Sequence, residues 1–252
     1  MPNVHRGRSC TTPARRSGAP RPWQTAAVNE LTHAIQSLLL AVDAERARRT
    51  ADPQLARRVE EVKRYQHARF SFTYRDLLDA PATAKAALFF LEELYGPVDF
   101  AQRDAQFSRV APKVASLFPG EIGRIVHSLA RLHALSERLD TEMGAAARGI
   151  PLSAAAYERA WREVGQPQLR GEQIELVRDV GLALAKQVRK PLIRATLRMM
   201  RGPAKAAGMD KLQSFLEAGF DAFRELPQAI EFVLTISARE QAIAAKLFSE
   251  TG

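Results

Sequence analysis

A single cysteine, Cys10, in 252 residues excludes an intramolecular disulfide framework and any zinc or iron–sulfur site built on several thiolates; it fits a reducing compartment such as the cytoplasm. Long apolar runs are missing too. The longest, Leu38-Leu39-Leu40-Ala41-Val42 and Ala86-Ala87-Leu88-Phe89-Phe90-Leu91, fall well short of the roughly 20 residues that cross a bilayer, so no membrane insertion is expected. No stretch alternates apolar and polar residues between turn signals, which leaves no evident β-strand. Glycine-rich phosphate loops and the G-x-S-x-G elbow are absent, so nothing points to a nucleotide, a dinucleotide or an activated serine.

What the chain does have is positive charge, 37 Lys and Arg against 28 Asp and Glu for a formal +9, and its placement decides what it means. Residues 1–22 hold five arginines and no acid, residues 180–209 hold seven cations and no acid, and the remaining chain sums to −3. The body is thus slightly acidic. Pro2, Pro13, Pro20 and Pro22 with few apolar neighbours give residues 1–22 too little surface to offset the entropy of ordering. They are expected to form a disordered basic tail that is inert, a weak electrostatic arm or a targeting segment. Residues 23–252 are expected to form a helical domain, with the Gly/Pro-punctuated stretch 144–151 as the candidate sub-boundary.

Helical periodicity then runs nearly throughout, predicting an all-α multi-helix bundle of about eight to ten helices. Leu31, Ile35, Leu38 and Val42 share one face. Asp52-Pro53 opens a second helix carrying Leu55, Val59, Val62, Gln66, Phe70, Thr73 and Leu77 to about Leu78. Gly96-Pro97 ends a third, and Asp99 with Gln102 reads as a capping box for the next. Ile122, Ile125, Leu129, Leu132, Ser136, Leu139 and Met143 form the most regular seam, with one polar seat. Ser153 caps a short helix ended by Gly165. A long helix from about Leu169 meets Pro191, whose ring forces a break; a short helix after it is expected to stop at Gly202-Pro203. Asp210 and Gln213 read as a further capping box, and Pro227 opens the last helix.

Chemistry-bearing constellations are sparse. Glu30 and His33 give half of a di-iron spacing without the second copy it needs, and no metal or cofactor is expected. His133 borders the apolar seam of its helix, as a hydrogen-bonded core histidine or as a ligand to something bound in the helical core. The acid-free segment is the sharpest anomaly. Lys186, Lys190, Arg194, Arg198 and Arg201 would form an anion-binding stripe on an unbroken helix; broken at Pro191, they fall near helix C-termini, where cations meet the negative dipole ends and can pair with the acidic body. Few aromatics interleave with them, which weakens a single-strand stacking role.

The stretch FFLEELYGPVDFAQRD, Phe89 to Asp104, sets an aromatic pair, a Tyr-Gly-Pro stop and an Asp-Phe-x-x-Arg-Asp start in tight order. It resembles the signature of an uncharacterised family of bacterial all-helical proteins, and RYQHARFSFTYRDLL, LHALSERLD and RKPLIRATLRMMRGPAKAAG fit the same family. The resemblance covers the chain from about residue 60 and implies a bacterial, cytoplasmic helical protein with no established activity. Physically, Tyr95, Asp99, Arg103 and Asp104 suit a polar network that fixes a helix corner; a small-molecule pocket edged by Tyr74, Tyr95 and Arg103 is the functional rival. The sequence therefore favours a non-catalytic interaction or regulatory module with a protein partner. An enzyme or ligand carrier with a core site at Tyr74, Tyr95, Arg103 and His133 is one alternative, and anion or nucleic-acid binding through Lys186, Lys190, Arg194, Arg198 and Arg201 is another. No catalytic residue is named, and a second copy of the chain stays open as a partner.

Overall fold

Asp52 turns the first long helix into the second by accepting hydrogen bonds from the backbone N–H groups of Gln54 and Leu55, both at 3.0 Å, with Pro53 in the first turn where its missing donor costs nothing. The computed structural model describes residues 22–93, 101–118, 120–148 and 150–249. The expected tail, apart from Pro22, lies outside these residues, as do Tyr95, Asp99 and the Gly96-Pro97 stop. Among the described residues there are twelve helical segments and no strand: α1 (Pro22–Ala51), α2 (Pro53–Thr73), α3 (Arg75–Asp79), α4 (Ala84–Glu93), α5 (Ala101–Leu117), α6 (Glu121–Ala146), α7 (Ala154–Val164), α8 (Pro167–Gln187), α9 (Pro191–Met199), α10 (Arg201–Ala206), α11 (Asp210–Glu225) and α12 (Ala229–Ser249).

Three differences from the expected elements have physical causes. The second helix divides at Tyr74, whose fully buried ring is tethered to α12 through its hydroxyl, 2.8 Å from Glu240 Oε1 and 3.3 Å from the Ile236 carbonyl. Gly202-Pro203 does not stop a helix but lies in the first turn of α10, where backbone donors have no intrahelical acceptor and a proline is tolerated. The Asp210–Gln213 capping box does not form either. Met209 is the N-cap of α11 without a side-chain bond, and Gln213 Nε2 instead donates to the Leu197 carbonyl and to Glu217, both at 2.7 Å. Ser153 does cap α7, accepting from Ala156 N–H at 3.2 Å, and Gly165 ends it at φ 64°.

The apolar faces meet in three clusters. Ile35 and Leu39 of α1 pack with Ala111, Ala115, Val126 and Ala130 of α5 and α6. Val62 and Met143 pack with Tyr157 and Trp161 of α7, bridging the 144–151 stretch. The third and largest cluster gathers α2, α4, α8, α11 and α12 around Phe70, Phe90, Phe223 and Phe232, so the few aromatics are concentrated where they bury most area. Helix α6 runs between the first two clusters, and its one polar seat, Ser136, is used: its Oγ accepts from Gln173 Nε2 of α8 at 2.8 Å. Gly144 lets α2 come close, since a Cβ there would sit 2.4 Å from Val59 Cγ2 and 3.0 Å from Val59 N. No described helix is long and apolar enough to cross a membrane.

Candidate functional site

Pro191 separates α8 from α9: Lys190 takes an extended backbone, φ −83° and ψ 115°, and the proline becomes the first residue of α9. The break leaves a groove of about 650 Å³ between the end of α5 and the start of α6 on one side and Gln187, Lys190, Pro191, Leu192 and Ile193 on the other. Its surroundings are apolar and open to solvent. Leu192 is 77% exposed, Phe118 54% and Ile122 40%. A second groove, about 570 Å³, flanks the same break, where Arg189 faces Ile230, Leu234 and Ala238 of α12. Scattered exposed apolar side chains are ordinary, whereas a set lining concave surface is a candidate binding surface.

Of the cations of the acid-free segment, Lys190 lines the first groove and Arg189 the second. Lys186 Nζ lies 3.0 Å from Glu121 Oε1 and Lys190 Nζ 3.2 Å from Oε2, and these two lysines, with the Gln187 amide, hold the Glu121 carboxyl down at about 2. Arg194 Nη2 is 3.4 Å from Asp221, and Arg201 forks onto Glu217 with Nε at 2.7 and 2.9 Å from its two oxygens, taking that carboxyl to about 2 as well. Lys186, Arg198 and Lys205 occupy the last turns of α8, α9 and α10, so dipole complementation and pairing both operate. Among the described residues, Arg189, Arg198 and Lys205 make no ion pair. Among the described residues, four of the seven cations are thus paired with three carboxylates. Gln187, 8% exposed, lines the groove, and its Nε2 makes no hydrogen bond of normal geometry.

A second polar centre lies inside the bundle. Asp104 of α5 is shared: Arg46 Nη2 of α1 is 2.5 Å from Oδ2, Arg103 Nε is 3.2 Å from Oδ1, and His133 Nε2 is 3.7 Å from Oδ2. One turn along α6 from His133, Glu137 meets Arg49 at very short range, Arg46 at 3.5 Å and Lys63 at 3.5 Å. Thr141, one turn further, accepts from Arg49 Nη1 at 2.8 Å and donates to the Glu137 carbonyl. Burial alone would raise the Glu137 carboxyl, but Lys63, Arg49 and Arg46 overcome it and hold the group at about 2. Burial lowers His133 more than Asp104 and Glu137 raise it, which favours the neutral imidazole. Ligand atoms of Asp104, His133 and Glu137 lie within 4.8 Å of one another and could chelate a divalent ion. The Arg46 guanidinium, however, bridges the two carboxylates, so an ion would have to displace it.

The sequence-predicted ligand residues are therefore only partly brought together. Arg103 and His133 touch the two oxygens of Asp104, and Arg103 also donates to the Glu93 carbonyl at 2.7 Å and lies 4.6 Å from the centre of the Phe215 ring. This is the expected corner network in its described half. Tyr74 sits apart in the aromatic core against α12, and Tyr95 is outside the described residues. Glu30 and His33 are both exposed. What the reading of the sequence missed is the stripe His133, Glu137, Thr141 at four-residue spacing beside the apolar seam, a polar row that a helix places on one face. A third centre, Arg170, is 3% exposed. Its guanidinium stacks 4.0 Å from the Trp161 ring centre, while Nε and Nη2 find no acceptor.

A family model described as Domain of unknown function (DUF8198) matches residues 45–252. No curated protein and no solved structure matches the chain.

Proposed function

We propose that this chain, which belongs to the DUF8198 family, works by binding another protein at the α8–α9 break and carries out no chemistry there. The observation that supports this reading most is the set of exposed large apolar side chains, Phe118, Ile122 and Leu192, that line a concave surface together with Lys190. Among the described residues, the one carboxylate lining the groove of Phe118 and Leu192 is Glu121, and at about 2 it is too weak a base to exchange protons near neutral pH. At the His133 centre both carboxylates are engaged by guanidinium groups. The single cysteine fits a cytoplasmic setting, and the signature resemblance fits a bacterial one.

The test is photo-crosslinking in cells with a benzoyl-phenylalanine replacing Leu192, compared with the same group replacing the exposed Arg57 of α2. A discrete protein adduct at 192 and none at 57 is the expected result. Equal labelling at both positions, or a stoichiometric metal, haem or metabolite in native mass spectra of the purified protein, contradicts the reading.

A further inference from the structure

We infer that the partner docked at the α8–α9 break is an acidic protein segment carrying an apolar anchor, an inference that rests on the interaction reading above and supplies the chemistry of its occupant. Three features of the groove set that chemistry. Its walls, Phe118, Ile122, Pro191 and Leu192, take an apolar side chain, and at about 650 Å³ the space is of the size that holds a ligand rather than a single water. Its base holds a poorly satisfied donor: Gln187 is more than nine-tenths buried, and its Nε2 has only the Glu121 carboxylate beside it, without a hydrogen bond of normal geometry. A buried amide left in that state costs stability that a partner's carbonyl would return. Its rim is over-supplied with cations, since Lys186 and Lys190 share the one carboxylate of Glu121.

A carboxylate on the partner, placed beside its anchor, takes up the charge that Glu121 leaves over. Such rim charges act mainly on association rate and selectivity, and they weaken with salt. A nucleic-acid backbone fits less well. It needs a continuous run of free cations, and here Lys186, Lys190, Arg194 and Arg201 already hold carboxylates while the walls between them are apolar.

The experiment selects binders to the full chain from a displayed library of random peptides and measures the enriched peptides by fluorescence anisotropy. Enriched sequences should place Asp or Glu within a helical turn of Leu, Ile, Phe or Trp. Leu192→Asp, on a 77% exposed side chain that the fold does not need, should weaken them about tenfold or more. Lys190→Glu should weaken them similarly and be rescued by exchanging the peptide's acid for Lys. Gln187→Met, which keeps the volume and removes the donor, should cost about three- to tenfold. Binders without acidic enrichment, or without charge-swap rescue, overturn the acidic occupant while leaving the interaction reading in place. Binders indifferent to Leu192→Asp overturn the groove. Tighter binding of duplex DNA than of any peptide at physiological salt, lost on Arg198→Ala, overturns the protein occupant. No enriched peptide, together with no adduct at position 192, sinks both readings.

Discussion

Replacing Glu137 by Gln removes one negative charge from a site where Arg46, Arg49 and Lys63 all lie within ion-pair distance of it and where its side chain is only 8% exposed. The size of the loss can be worked from its titration. In the folded protein the carboxyl is held at about 2 against an ordinary 4.5, and at about 1.4 kcal/mol per unit this is a stabilisation of order 3 kcal/mol. Removing one partner of a buried ionic network costs about 3 to 5 kcal/mol, because the others stay buried without it. The two routes agree. The sign follows from the direction of the shift: a carboxyl depressed in the folded state contributes fully above 4.5, and the contribution is lost as pH falls from there toward about 2. Urea unfolding followed by circular dichroism should therefore show Glu137→Gln less stable by about 3 kcal/mol at neutral pH, with the gap to wild type closing on acidification through that window. A loss below about 1 kcal/mol, or a gap that does not narrow with acid, would refute the reasoning and assign the cluster to the weak, screened class of ion pairs.

Other outcomes follow from the same structure. His133 is depressed from 6.5 by burial, so its contribution to stability is present above that value and lost as pH falls below it; His133→Gln should flatten the melting-temperature profile there, and an unchanged profile counts against the burial argument. Gly144→Ala gains helix propensity of about 1 kcal/mol but drives a methyl into Val59, 2.4 Å from Cγ2 and 3.0 Å from its backbone N. A net loss of about 1 to 3 kcal/mol in urea is expected, and a stabilised variant would show that α2 can retreat at no cost. Arg170→Met removes a buried cation whose Nε and Nη2 lack acceptors; the melting temperature should hold or rise, and a fall of more than about 2 kcal/mol in stability would mean that this guanidinium is better partnered than its geometry indicates.

Local signals in the sequence translated directly into structure. Asp52-Pro53, Ser153 and Gly165 each act within a few residues, so their caps were legible, and Pro191 breaks the chain through its own ring. The charge split was legible as well, because an acid-free segment in an acidic body must find its counterions elsewhere, as Lys186 and Lys190 do on Glu121. The candidate site was harder. Ile122 had the periodicity of a core residue, and its exposure, like that of Phe118, depends on where α9 goes after the break. The Arg46, Asp104 and Glu137 centre joins α1, α5 and α6 across 58 and 91 residues, a distance at which composition and spacing carry no pairing information. Asp210 and Gln213 had the right spacing for a cap, but Gln213 found stronger partners in the Leu197 carbonyl and Glu217.

The most direct test of the central claim, that the surface at the α8–α9 break is where this protein works, is the backbone amide spectrum recorded as a selected acidic peptide is added. The account predicts that shift changes concentrate at Phe118, Ile122, Gln187 and Leu192, with His133 and Glu137 unmoved. Changes centred instead on His133, Asp104 and Glu137, with Leu192 silent, would contradict it and move the working site into the helical core.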